Sequence, residues 1–397
     1  MAHNQVHVTR TAKIILLFGA TLALMCGAAL TPGTTKMLAA FESVPNAGLW
    51  ISLILTLPAL FVVIGGPISG FLTDRFGRKK VLVSALLLCG LSGTAGYFLH
   101  SLWAILVSRA FVGIGIAGVT TATNALISDL FEGSSRARFM GYQSAITGFN
   151  GVVFLILGGI LADINWRFAF LAYTLLLVLF PLAWIFIREP AGIKQHGDEV
   201  IETKLQLDGK KLFIFAATFI SQLTFVTVPI FIGYYLIGLF HANNTMVGVV
   251  GAISNLAAFL TGLVYGRIRE RMSYQRLFLI SGVSMGVGLL VMGLANSWFL
   301  IILAEVILGV CVGLNLSNLP TWLASEVSPY VRGRANGIYV SMMYFGQFAG
   351  AVLFTPLSAI TGYPTVYFIV SVVITLAGLG VLLLPGESQI AVDTEPS

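Results

Sequence analysis

Charge is scarce in this chain. Charged residues make up 10% of its 397 positions, against about a quarter in ordinary soluble domains. That is too little ionisable side chain to cover a water-exposed globule. Cysteine is scarcer still. Cys26, Cys89 and Cys311 each lie inside an apolar segment without metal-ligand spacing, which argues against a metal site or a disulfide scaffold and leaves them as packing residues. No Walker-type phosphate loop occurs, so ATP is not expected to drive the protein directly. No nucleophile–base arrangement or metal cluster points to an enzyme, and no cofactor is implied. The net charge of +6 does not indicate nucleic acid, because every cation except Lys36, Arg109 and Arg167 falls in a segment that shares one membrane face.

Apolar residues and glycine are what the chain holds in excess. Hydrophobic residues reach 57% and glycines number 43, with a mean hydropathy of +0.93. A bilayer-spanning helix takes about 20 apolar residues, and small residues let such helices approach closely. The apolar runs predict twelve spans, at 14–38, 47–72, 81–99, 102–128, 139–162, 167–187, 211–239, 245–266, 276–295, 297–324, 335–360 and 364–385. The first run is too long for a signal-peptide core and is read as a retained helix. A hydrophilic linker at 188–210 separates an N-terminal six-helix bundle (1–187) from a C-terminal one (211–385), and a polar tail follows at 386–397. The fold class is therefore an all-α membrane protein with twelve spans in two bundles. An even number of spans puts both termini on one side, and the cation excess marks that side as cytoplasmic. A bacterial inner membrane is the expected setting.

The two bundles resemble each other. Arg109-Ala-Phe-Val-Gly113 aligns with Glu305-Val-Ile-Leu-Gly309, about 196 residues on. Arg136-Ala-Arg138 parallels Arg332-Gly-Arg334 at the same offset, and Gly70-Phe-Leu-Thr-Asp74-Arg75 parallels Gly262-Leu-Val-Tyr-Gly266-Arg267. Duplicated halves place a ligand site between them, near the membrane midplane.

Between the second and third spans lies Gly70-Phe-Leu-Thr-Asp74-Arg75-Phe-Gly77-Arg78-Lys79-Lys80. A cluster this polar must be a turn at a membrane face. Gly70 would allow close helix contact, Asp74 would pair with cations or cap a helix end, and Gly77 would allow the tight turn. The pattern Gly-x-x-x-Asp-Arg-x-Gly-Arg-Lys resembles the signature loop of the major facilitator superfamily. Arg109 with Gly113 and Gly115 resembles that family's arginine-glycine motif in helix 4, and Trp166-Arg167 its Trp-Arg pair before helix 6. Helix 5 departs from the pattern of its exporters: Gly158-Gly159 are present, but Phe154-Leu155 stand where Gly-Pro is usual. The resemblance implies two pseudo-symmetric six-helix bundles, alternating access, and a role for Asp74 in closing the cytoplasmic gate against helix 11.

Two charges stand inside spans. Arg109 and Glu305 sit on the order of 10–12 Å from the outer helix ends at 1.5 Å per residue, where an ionised group costs at least roughly 2.5–3.5 kcal/mol. Glu305 is expected to carry protons or recognise a cation, with a structural hydrogen bond as the other reading. Arg109 is expected to serve coupling or anion recognition, or to be structural. Gln222, Tyr234, Asn315, Tyr344 and Gln347 are candidates for the cavity wall, though interhelical hydrogen bonding would also account for each. These features point to proton-coupled efflux of small amphipathic compounds or metabolites, with proton-coupled import of an organic solute as the alternative. The expected partners are a small-molecule substrate, protons and the lipid bilayer, with the protein working as a monomer.

Overall fold

The structure, a computed structural model, describes residues 9–131, 133–189, 206–328 and 331–385. The middle of the expected linker (190–205) and the tail at 386–397 lie outside the described residues. Backbone groups in hydrocarbon must be satisfied within their own segment, so each apolar run closes its hydrogen bonds as a helix. Among the described residues twelve helices are long and apolar enough to span a bilayer: α1 Arg10–Ala40, α2 Ala47–Phe76, α3 Arg78–Phe98, α4 Leu102–Leu130, α5 Arg138–Ile164, α6 Trp166–Phe186, α7 Gly209–Phe240, α8 Asn244–Arg269, α9 Tyr274–Leu294, α10 Trp298–Glu326, α11 Arg332–Thr361 and α12 Tyr363–Leu383.

Their starts are set by local chemistry. The side chains of Thr9, Asp208, Asn243, Ser273 and Ser297 each accept a hydrogen bond from a backbone N–H three residues on, satisfying a first-turn donor. Gly77 joins α2 to α3 at φ +96°, a conformation that favours glycine, so the expected tight turn is present.

Three spans are less regular than their hydropathy implies. In α1 the segment Cys26–Gly33 is a 3-10 helix containing Pro32. The corresponding span α7 breaks between Phe225 and Thr227, just before Pro229. Pro32 and Pro229 are 197 residues apart, close to the repeat offset, and each removes a helical N–H where its span bends. Span α6 opens as a 3-10 turn, Trp166–Tyr173.

Packing repeats in the same register. A side chain at Gly113 would meet the Pro58 carbonyl oxygen of α2 at 2.4 Å, and one at Gly309 would meet the Ser254 carbonyl oxygen of α8 at 2.3 Å. Both partners are separated by the same 196 residues as the glycines. One buried apolar cluster runs from Ala12 to Ile187, and two others lie between Ile214 and Val381. The three cysteines are free and buried, as packing residues should be. Gly282 and Gly286 press on α12, Gly309 and Gly313 on α8, and Gly346 and Gly350 on α7. Gly70 behaves otherwise. Nothing lies within 4 Å of where its side chain would be, nor at Gly66, so the close contact expected there is not made.

Candidate transport site

Arg109 is 1% exposed on α4. Its Nε donates to the Ile54 carbonyl at 2.9 Å, and the guanidinium lies over the Tyr173 ring, 5.1 Å from the centroid. The Tyr173 hydroxyl also lies within hydrogen-bonding reach of that guanidinium. Glu305 is fully buried on α10 and pairs with no cation among the described residues. Ser254 lies beside it, but that hydroxyl donates to the Gly251 carbonyl at 3.0 Å. Tyr367 is within electrostatic reach, and its hydroxyl makes no hydrogen bond among the described residues. The two charged groups make no ion pair with each other; each is enclosed within its own half. An ionised carboxylate at Glu305 would be uncompensated, which is costly away from water.

The pairing of charge and tyrosine repeats across the halves. Arg109 faces Tyr173 of α6, and 194 residues on Tyr367 of α12 stands near Glu305. Both rings are sealed in the core at 0% exposure.

The other sequence candidates separate into three groups. Gln347 of α11 donates to Gln222 of α7 at 3.0 Å, and Tyr344 packs against the cluster of the first half. Tyr234 stacks on Tyr363, with centroids 5.7 Å apart, and its hydroxyl reaches the Thr34 carbonyl at 3.4 Å. With Thr35, Leu38, Glu42 and Ile237 it lines an open cleft of about 520 Å³ at the end away from the cations. Asn315 corrects the expectation: it is 5% exposed and accepts a 2.5 Å hydrogen bond from Ser281 of α9. It therefore packs inside the second half, on the α10 face that meets α9, rather than on the cavity wall.

The signature loop also differs from expectation in its partners. Asp74 and Arg75 are exposed, and Asp74 has no ion pair among the described residues. The helix-capping role falls to Glu189, whose carboxylate accepts from Arg78 N at 2.7 Å and Lys79 N at 2.9 Å at the start of α3. Arg78 pairs with Asp129 at 3.0 Å, and Arg75 lies against the Phe71 and Phe76 rings.

At the end away from the cations the halves are latched. Asp163, in the last turn of α5, accepts hydrogen bonds from Asn244 N and Nδ2 at 2.9 Å, from Thr245 N at 2.9 Å, and from the Thr245 hydroxyl. It thereby holds the positive N-terminus of α8. Lys36 of α1 donates to the Asp163 carbonyl at 2.8 Å. Around the latch, a side chain at Gly158 would strike the Ala29 carbonyl, and one at Gly159 would strike Asn244. The paired glycines of α5 thus let α1 and α8 close in together. Toward the cation-rich end, a side chain at positions 66, 70, 141, 266, 333 or 337 would meet no atom of the described residues within 4 Å. Sequence reasoning missed Asp163 because an acid at a helix end resembles an ordinary cap. Its signal was Asn243-Asn244-Thr245, a helix start with side-chain donors left over.

A sequence profile of the Major Facilitator Superfamily matches residues 16–213 and 214–396. A tetracycline resistance protein, class H, from Pasteurella multocida is 26% identical, with 87% of this chain and 88% of that protein covered. The multidrug resistance protein MdtG of a Rahnella strain is 25% identical over 83% and 82% of the two chains. Among solved structures, a D-xylose–proton symporter superposes with a TM-score of 0.80 at 16% identity, covering 96% and 98%. The inward-open xylose transporter XylE from E. coli gives 0.79 at 14%, covering 96% and 97%. With both halves matched by the family profile and the whole chain sharing the fold of solved transporters, this protein belongs to the Major Facilitator Superfamily and is a multi-pass membrane transporter of a small-molecule substrate, not an enzyme.

Proposed function

We propose that the chain exports small amphipathic compounds or metabolites in exchange for protons. The observation that carries the reading is Glu305, a carboxyl group sealed inside α10 with no cation paired to it among the described residues. A group in that position gains by taking up a proton and must meet water to lose it, so its protonation is tied to movement of the helices around it. The names of the tetracycline and multidrug resistance relatives support efflux as the direction. Arg109 serves coupling or anion recognition in the other half.

In this reading the bundles 1–187 and 211–385 are the moving units, joined by 188–210, and a single chain suffices because it holds both. The cation-rich end is cytoplasmic by the positive-inside rule, which puts both termini in the cytoplasm of a bacterial cell and the chain in its inner membrane. Asp163 then closes the outer side, and Asp74 is free to close the inner side in the opposite state. Gln222, Tyr344 and Gln347 face the passage.

The test is purified protein in liposomes with an internal pH-sensitive dye, screened with lipophilic cations, organic anions and sugars under an imposed proton gradient. Lipophilic cations are expected to release protons with wild type and not with Glu305→Gln. Proton movement driven by sugars or anions alone would overturn efflux of amphipathic cations, and a fully active Glu305→Gln would remove Glu305 from the coupling step.

A further inference from the structure

The cleft at the end away from the cations has no part in proton coupling. Thr35, Leu38 and Glu42 of the first half face Tyr234, Ile237 and Gly238 of α7 and Tyr363 at the start of α12 across about 520 Å³. An occupant there would touch both halves. Glu42 stands just beyond the end of α1, is exposed, and makes no salt bridge among the described residues. The cation nearest to it in sequence, Lys36, is taken up by the Asp163 carbonyl. Two helix ends add to the negative character. Spans α1 and α7 both finish here, at Ala40 and Phe240, with the negative ends of their dipoles toward the cleft. Past Phe240 the chain turns at His241, φ +49°, and the N–H groups of His241 and Ala242 both return to the Leu236 carbonyl. Neither continues the helix onto the carbonyls of Ile237 and Gly238, which border the cleft.

The aromatic wall is fixed before any ligand arrives. Tyr234 and Tyr363 stack with centroids 5.7 Å apart and planes at 11°. The Tyr234 hydroxyl donates to the Thr34 carbonyl at 3.4 Å, and Tyr363 leans on Phe231 with 5.3 Å between centroids. Both tyrosines are half-buried and line the cleft. An aromatic surface beside an unpaired carboxylate favours a cation, and rings already in place lose little freedom when it binds. We propose that Glu42, Tyr234 and Tyr363 form a binding site for a monovalent organic cation with a flat apolar body. Glu42 supplies the opposite charge, the rings take the apolar body and the neighbouring ammonium, and Leu38 and Ile237 complete the apolar wall. One carboxylate is too small a ligand set to hold a metal ion in their place. The site is separate from Glu305 and Arg109, and it goes beyond the efflux reading because it needs neither proton coupling nor a direction of transport.

The test is equilibrium dialysis of the full-length protein in detergent against radiolabelled benzyltrimethylammonium, with protein-free micelles as the blank. Saturable binding is expected in wild type. Glu42 is exposed, so Glu42→Gln keeps the fold; it should weaken binding by roughly fivefold, the upper end for an exposed charge pair. Glu42→Asp, which keeps the charge, should retain most of the affinity. Tyr363→Leu should weaken binding by about two- to fivefold through the lost ring. Unlabelled benzoate keeps an aromatic ring but reverses the charge, and it should not compete. The proposal fails if binding is not saturable, if Glu42→Gln binds as tightly as wild type, if Glu42→Asp loses as much as Glu42→Gln, if Tyr363→Leu binds unchanged, or if benzoate displaces the label. No proton gradient enters this measurement, so its failure and failure of the efflux reading are separate results.

Discussion

The halves of this transporter use one frame to hold opposite charges. Gly113 and Gly309 seat α4 and α10 against equivalent carbonyls of α2 and α8, and one turn earlier the first half carries Arg109 where the second carries Glu305. Each charge has a buried tyrosine from the last span of its half, Tyr173 or Tyr367. The arginine keeps its charge permanently and is met by a carbonyl and a ring; the glutamate can be neutralised and has no paired cation among the described residues. The packing positions, where only glycine fits, are the same in both halves, and the charge one turn away differs.

The comparison can be broken most sharply where the halves join. Asp163→Ala leaves the donors at the start of α8 without their acceptor, and hydrogen bonds to charged groups contribute about 1.5–3 kcal/mol each. Water replaces part of this when the end opens, so at least a roughly tenfold shift toward the state open at that end is expected. Spin-label distances between the latched ends of α5 and α8 would report it; unchanged distances would mean that the glycine contacts alone hold the closure.

Equivalence of the two frames is tested by Gly113→Ala and Gly309→Ala. Each added methyl group would lie within 2.4 Å of a backbone oxygen, so both variants should lose about 1–3 kcal/mol through overpacking. Matched falls in unfolding midpoint are expected, and a fall in only one would show that the halves do not bear the same strain.

The smallest effect concerns the helix starts. Thr9 caps α1 with a hydroxyl, whereas Asp208 caps α7 with a carboxylate that also meets Lys211 Nζ at 2.6 Å. Hydrogen bonds from Lys211 hold the Asp208 carboxyl below its ordinary value. Its contribution is therefore complete above an ordinary aspartate pKa of about 4 and is lost as pH falls through the lower folded value. Asp208→Ala should cost about 1 kcal/mol near neutral pH, the worth of an N-cap, and progressively less in acid. Thr9→Ala should show no such pH dependence, and a parallel acid profile for both would remove the charge from the explanation.

Much of this was legible in residues. Apolar run length located all twelve spans, because hydrocarbon requires a closed helix of fixed minimum length. The spacing of Arg109, Gly113, Glu305 and Gly309 disclosed the repeat, since close helix approach demands glycine at set positions. Gly77 announced its turn. Other residues stayed ambiguous because type and spacing do not say which neighbour a helix face meets. Asn315 suited a cavity wall or an interhelical bond and makes the latter with Ser281, and Asp74 suited a cation pair or a helix cap, while the cap of α3 is Glu189, more than a hundred residues on.

Linear order thus decided what the bilayer rewards, namely helix length, polarity of the ends and the depth of the two charges, all of which follow from local transfer free energy. Tertiary structure alone decided which groups meet. It latched Asp163 to α8, enclosed Glu305 with no paired cation among the described residues, and seated Arg109 on Tyr173, because these contacts join helices distant in the chain.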